Sequence, residues 1–189
     1  MIDNQYFETI KCEDFEVFNL TYHKKRVANT ICKNLSLEEY ITPPNKQLLR
    51  CKIIYTQDEI IDIQYYPYIK RDIKSLKLIY DNDINYRYKS TNRTQIDNLL
   101  TKKDNCDDIL IIKNGLVTDT SIANIAILYN NTWLTPKIPL LYGTTRDKYI
   151  QDGILKEYDI SVDMLKNSTK IALLNAMIGF DILNDVEII

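Results

Sequence analysis

Lys89 opens the segment Lys89-Ser90-Thr91-Asn92-Arg93. A lysine at the end of an element, where clefts form, can serve as a nucleophilic amine or a proton carrier if burial or nearby cations keep it partly neutral. Its plainer reading is a solvated lysine at a strand end. Asp119 lies among small hydroxyl residues in Thr118-Asp119-Thr120-Ser121, followed by Asn124. A carboxylate there can pair with a buried cation or a protonated ring nitrogen, or simply make turn hydrogen bonds. Gly143-Thr144-Thr145-Arg146 stands before a helical pattern. Backbone N–H groups, hydroxyls and the positive end of a helix dipole suit a phosphate, and the same residues suit an N-cap. His23-Lys24-Lys25-Arg26 opens an earlier helix. Its cations read as a solvated face unless Arg26 grips an anion.

Several other chemistries are excluded by what is missing. The 189 residues contain one histidine, so Ser-His-Asp or Cys-His catalysis would rest entirely on His23. Cys12, Cys32, Cys51 and Cys106 are widely spaced with no C-x-x-C, which argues against a zinc site or a disulfide framework. Reduced thiols in a cytoplasmic protein are the expectation. A formal charge of −2, from 24 basic and 26 acidic residues, gives no basic stripe for nucleic acid. No apolar run approaches the ~18 to 20 residues of a membrane span. The N-terminus, beginning Met1-Ile2-Asp3-Asn4, lacks the pattern of a secretory signal.

The elements that must position these residues follow from hydrophobic spacing. Residues 5–22 alternate as two short strands with a turn near Glu13-Asp14, and Val27, Ile31 and Leu35 recur at helical spacing from His23 onward. Strands are expected at 48–55, 60–66 and 76–80, the first two forming a hairpin, and Asp81-Asn82-Asp83 reads as an interdomain connection. Residues 84–89 read as a strand with Tyr86 and Tyr88 on one face and Arg87 and Lys89 on the other. A helix from about Thr91 follows, then a strand at 109–113 running into the hairpin signal Asn114-Gly115. Strands at 122–129 and around Trp133, a helix from Thr145 to about Leu155, a strand at 169–176 and a final strand or two over 180–189 complete the pattern. The mixture predicts an α+β protein with an antiparallel-rich or barrel-like second half. Tyr65, Tyr66 and Tyr68 suit a half-buried aromatic strand, or substrate or interface contacts.

Taken in order, these segments resemble the class IV (fold type IV) pyridoxal-phosphate enzymes, a family that includes branched-chain and D-amino acid aminotransferases and aminodeoxychorismate lyase. Phe7-Glu8-Thr9 is similar to the family's F-E-T strand, and His23-x-x-Arg26 to its H-x-x-R helix start. Lys89-Ser90-Thr91-Asn92-Arg93 resembles the lyase form K-x-x-N-R of the cofactor-lysine motif. Asp107-Asp108, Gly115 and the run from Ser121 to Ile125 resemble its D-E…G…E-x-x-x-x-N stretch. Trp133-Leu134-Thr135-Pro136, Gly143-Thr144-Thr145-Arg146 and Leu174-Asn175-Ala176-Met177 resemble its T-P, G-x-x-R and C-terminal elements.

The resemblance implies a two-domain class IV aminotransferase-like fold. A small N-terminal α/β domain would span residues 1–81, and a larger cofactor-binding domain residues 84–189. It implies pyridoxal 5'-phosphate as cofactor, with Lys89 as the lysine that carries it and moves protons. Arg26 and the N–H groups of Thr144 and Thr145 would hold the phosphate, Asp119 would keep the pyridine nitrogen protonated, and Ser121 and Asn124 would support it. Asp119 stands where the family has Glu, one methylene or ~1.5 Å shorter in reach. The chain starts almost at the F-E-T strand, so the family's first hairpin is expected to be missing. The activity implied first is cleavage of 4-amino-4-deoxychorismate to 4-aminobenzoate and pyruvate for folate synthesis. An aminotransferase acting on branched-chain or D-amino acids, or a degenerate cofactor binder without turnover, are the alternatives. The partners implied are a small-molecule amine and a second copy in a homodimer.

Overall fold

Alternation of apolar and polar residues builds the first half. The computed structural model describes residues 4–189; the signal-peptide reading also takes in residues 1–3, which lie outside the described residues. Tyr6–Glu13 (β1) turns into Glu16–Val17 (β2), and Leu49–Tyr55 (β3) pairs with β1 on one side and with Ile60–Pro67 (β4) on the other, all antiparallel. On β1 the inward side chains are Glu8, Ile10 and Cys12; on β3 they are Leu49, Cys51, Ile53 and Tyr55. The helix Leu20–Ile31 (α1) buries His23, Val27 and Ile31, one stripe at four-residue spacing. Leu35 follows the helix and still packs on this core. Glu8 is therefore a carboxylate on an otherwise apolar strand face.

The chain divides into two units, and the division corrects the expected boundary at Asp81–Asp83. The chain up to Lys70 groups with Tyr88–Asn92, whereas Arg71–Arg87 groups with Arg93–Ile189. The reason lies in Ser75–Tyr80 (β5), which pairs in parallel with Asp108–Lys113 (β6) and so belongs to the second sheet. Residues 84–89 are also not a strand, a second correction. Asp81 Oδ1 accepts from the N–H groups of Asp83 and Ile84 (2.9 Å each), Gln95 Oε1 accepts from Asn85 N–H (3.0 Å), and Lys113 Nζ donates to Ile84 O (2.6 Å). Side chains thus satisfy backbone groups that a ladder would otherwise take. Tyr86 is buried in the second unit's core while Tyr88 is exposed in the first unit, edge-on to Tyr6, so they share no strand face.

In the second unit, β6 is buried on both faces. Leu110 and Ile112 enter one core cluster; Ile109 and Ile111 enter another beneath the helix Thr94–Leu100 (α2). Asn114 (φ 51°) and Gly115 (φ 76°) make the left-handed pair that turns β6 into Leu116–Thr120 (β7). Asn124–Tyr129 (β8) then pairs with β7, with Thr132–Pro136 (β9) and with Lys170–Asn175 (β11). This three-way pairing of β8 allows the sheet to split and curl. The helix Thr144–Gln151 (α3), Lys156–Tyr158 (β10) parallel to β9, and the helix Val162–Lys166 (α4) precede β11. Gly179–Ile182 (β12) pairs with β11, and Glu187–Ile188 (β13) lies parallel to β5. Among the described residues no helix is long and apolar enough to cross a membrane.

Candidate active site

In the first unit, the Lys89 segment is laid along the start of β1. Phe7 N–H donates to Lys89 O (2.8 Å), Thr91 N–H donates to Gln5 O (3.0 Å), and Tyr6 and Ser90 form an antiparallel bridge. Lys89 is half-buried, and its Nζ lies 4.7 Å from the centroid of the Phe7 ring. The next inward residue of β1, Glu8, is wholly buried. Its Oε1 accepts from Arg26 Nε at 2.8 Å, and its Oε2 accepts from Arg26 Nη2 and from His23 Nδ1, the latter at 2.5 Å. The three-residue spacing of His23 and Arg26 puts both on the α1 face that meets β1.

These contacts decide the charge states. Burial by itself would raise the Glu8 pKa, but the Arg26 guanidinium, with His23, holds it down at about 2. Burial pushes the His23 pKa below its ordinary value. Its bond to Glu8 opposes that shift, while the Arg26 and Lys89 charges add to it. Neutral His23 then donates through Nδ1, and its Nε2 is buried without a hydrogen-bond partner. Sequence reasoning assigned Arg26 a role but gave none to Glu8 or His23. The signal was present in the apolar alternation of β1, which Glu8 interrupts.

In the second unit, Asp119 sits within β7, opposite Asn124 at the start of β8. Its Oδ1 accepts from Asn124 Nδ2 and its Oδ2 from Leu141 N–H, both at 2.8 Å; Asn124 Nδ2 also donates to Leu141 O (2.8 Å). Burial raises the Asp119 pKa to about 6, outweighing the hydrogen bonds from Leu141 and Asn124 and the more distant positive charge of Arg146. Asn124 thus spends both amide hydrogens on positioning Asp119 and the chain leading to α3. A Cβ at Gly143 would lie 1.9 Å from Asn124 Oδ1, so glycine is required for this approach.

Thr144 and Thr145 open α3, where the first backbone N–H groups lack intrahelical acceptors. The Thr145 hydroxyl is buried without a hydrogen-bond partner, as is the Ser121 hydroxyl. Thr120 closes the turn that carries Ser121: its N–H donates to Ala123 O (2.9 Å) and its Oγ1 accepts from Ala123 N–H (3.1 Å). Arg93 Nη2 donates to Ser121 O (2.9 Å), connecting the arginine of the lysine segment to this turn. Arg146 is buried and structural: Nη2 donates to Pro136 O (2.7 Å) and to Glu157 Oε1 (2.6 Å).

Each unit therefore contains its own group of the expected residues: Arg26 and Lys89 in the first, Asp119, Ser121, Asn124, Thr144 and Thr145 in the second. Their chemistry fits a phosphorylated pyridine aldehyde. The second unit offers a buried acid, two partnerless hydroxyls and a helix N-terminus; the first offers a lysine and an oriented guanidinium. Among the described residues no cluster suited to a metal ion is present.

Comparison with known proteins gives concordant matches. The family model described as amino-transferase class IV matches residues 60–181. An uncharacterized protein of Haemophilus influenzae is 35% identical over 184 residues, covering 92% of this chain and 97% of that protein. The crystal structure of a putative 4-amino-4-deoxychorismate lyase from Haemophilus somnus is similar with a TM-score of 0.86 and 32% identity, over 95% of this chain and 99% of that one. The PLP-bound form of a hypothetical aminotransferase from Mycobacterium tuberculosis shares the fold, with a TM-score of 0.81 at 15% identity, over 98% of this chain and 81% of that one.

Proposed function

The chain belongs to the amino-transferase class IV family of pyridoxal-phosphate-dependent enzymes, and from that premise we propose that it cleaves 4-amino-4-deoxychorismate to 4-aminobenzoate and pyruvate. The observation that carries the choice of lyase is the likeness to the Haemophilus somnus protein along almost the full length of both chains. The product would enter folate synthesis.

Pyridoxal phosphate, when bound, supplies a ring that takes up the electron pair left when a C–H bond beside the substrate nitrogen breaks. Lys89 would hold the cofactor through its amine, and that amine would take the proton from the amine-bearing ring carbon of the substrate. It then returns a proton to the leaving enolpyruvyl group, so the ring aromatises and pyruvate departs with no net change in oxidation state. Asp119 holds a proton at the ring nitrogen. In the second unit the N–H groups of Thr144 and Thr145 and the Thr145 hydroxyl would suit the phosphate; in the first, Arg26, oriented by Glu8, offers a guanidinium of matching charge. Ser121 adds a hydroxyl, and Asn124 positions Asp119.

The purified protein is expected to show a band near ~410 to 420 nm that borohydride removes, the sign of a lysine-held cofactor. It should release pyruvate and 4-aminobenzoate from aminodeoxychorismate without an added keto acid. A protein with that band and no release would overturn the lyase reading. An amino acid that shifts the band and yields a keto acid would favour the aminotransferase reading, consistent with the family. Lys89→Ala should abolish the band and turnover; activity unaffected by the change would refute the lysine assignment. We further infer a cytoplasmic homodimer, in keeping with four free cysteines; sedimentation at a monomer's mass would refute the dimer.

A further inference from the structure

The outward face of the first unit's sheet carries a cation that the roles above do not use. On β3 the outward residues are Arg50, Lys52 and Ile54. The register sets Lys52 opposite Thr9 on β1 and Gln64 on β4, both neutral. Lys52 is half-buried, and its Nζ lies 5.7 Å from the centroid of the Phe7 ring. Lys89 Nζ approaches that same ring at 4.7 Å, so the two ammonium nitrogens are at most about 10 Å apart.

Some other cations of this unit meet carboxylates: Lys11 meets Glu13 at 2.7 Å, Lys24 meets Glu38 at 2.5 Å, and Arg26 meets Glu8. Lys52 does not. Among the described residues no carboxylate comes within ion-pair distance of it. Asp62, on the same face but opposite Ile54, makes no ion pair with it. An aromatic ring attracts an ammonium group but carries no net charge, so Phe7 leaves the positive field of Lys52 uncancelled. A half-buried cation beside the reacting lysine favours a ligand that brings a negative charge with its amine.

We propose that Lys52 is a specificity-determining residue that binds a carboxylate of the amine substrate presented to Lys89. The inference rests on the reading of Lys89 as the reacting lysine and names the substrate class as amines bearing a carboxylate set apart from the nitrogen. Aminodeoxychorismate belongs to that class, with a ring carboxylate across from its amine. A charge-assisted hydrogen bond of this kind changes affinity roughly ten- to hundredfold.

The test uses the cofactor-loaded protein titrated with 4-aminobenzoate and with its neutral analogue 4-aminobenzamide. The wild type is expected to prefer the acid, Lys52→Gln to bring the two affinities nearly together, and Lys52→Arg to keep the preference. With aminodeoxychorismate, Lys52→Gln should raise KM roughly ten- to hundredfold and affect kcat less. A wild type without preference, or a Lys52→Gln protein that keeps it, overturns the proposal. So does a Lys52→Gln protein that loses affinity for pyridoxal phosphate while keeping the acid preference, since Lys52 would then serve the cofactor. Failure of the lysine reading shows separately, as a wild type without the borohydride-sensitive band.

Discussion

Asp119 is the residue whose environment allows the sharpest numerical test. Its pKa in the folded chain is about 6 against an ordinary 3.8, a difference worth about 3 kcal/mol. Because the folded-state value is raised, the stabilisation is fully present below pH 3.8 and is lost as pH rises through about 6. Linkage puts about 1.4 kcal/mol of that loss between pH 5 and pH 8. The perturbation is Asp119→Asn, studied in cofactor-free protein. The asparagine cannot titrate. Its amide nitrogen would face a donor, either Leu141 N–H or Asn124 Nδ2, at a pH-independent cost of about 1–3 kcal/mol. Rotating the Asn124 amide to relieve this would lose its bond to Leu141 O. Urea unfolding of both proteins at pH 5 and pH 8 gives the difference between them. The variant's deficit should shrink by about 1.4 kcal/mol on going to pH 8. Glu8 and His23 are common to both proteins and cancel. A deficit that is flat within about 0.5 kcal/mol would refute the argument that burial dominates at Asp119.

Glu8→Gln should behave differently. It leaves the Arg26 guanidinium without its buried counter-charge and should cost about 3 kcal/mol. Since Glu8 titrates at about 2, its own ionisation adds almost no pH dependence from pH 5 to pH 8; the lost bond to His23 lowers the His23 pKa further, so the cost should hold or grow towards pH 5 and never shrink there, which the same unfolding experiment checks. Gly143→Ala would place a methyl group against Asn124 Oδ1 and displace the amide from Asp119 and Leu141. A loss of about 1–3 kcal/mol in stability and weaker pyridoxal phosphate binding in equilibrium dialysis are expected.

Much of the fold was legible because single-period patterns dominate it. Asn114-Gly115 forms the left-handed turn its residue types favour. The four-residue stripe of α1 and the alternation of β3 read directly as the helix and strand observed. Other parts escaped for physical reasons. β7 contains Thr118, Asp119 and Thr120, residues that read as turn formers. They are buried because partners satisfy them, as when Thr118 Oγ1 donates to Ile111 O (2.8 Å). β10 is exposed throughout and exists because β9 pairs with it. At residues 84–89 an alternating pattern misled, since Ile84 and Tyr86 enter the core while side chains take the backbone hydrogen bonds. The candidate site residues were singled out through the order of their motifs, whereas Glu8 acts on partners 15 and 18 residues away, which no local pattern reports.

The two buried carboxylates show how the same residue chemistry yields different roles. Both lose most of their hydration, and burial is the largest influence on each. Glu8 receives a guanidinium on both oxygens and an imidazole on one, so its negative charge is matched within the first unit and is retained far into acid. Asp119 receives two neutral dipoles, Asn124 and Leu141, which orient a carboxylate without cancelling its charge. Arg146 adds a positive field but is itself committed to Glu157 and the Pro136 carbonyl. A fully compensated acid is suited to holding a neighbour in place, which is the part Glu8 plays for Arg26. An oriented acid poised near neutrality gains most from a cationic N–H, because ionising against such a donor offsets the burial that raised its pKa. That difference is why Asp119, and not the more conspicuous Glu8 cluster, is the carboxylate suited to a protonated pyridine nitrogen.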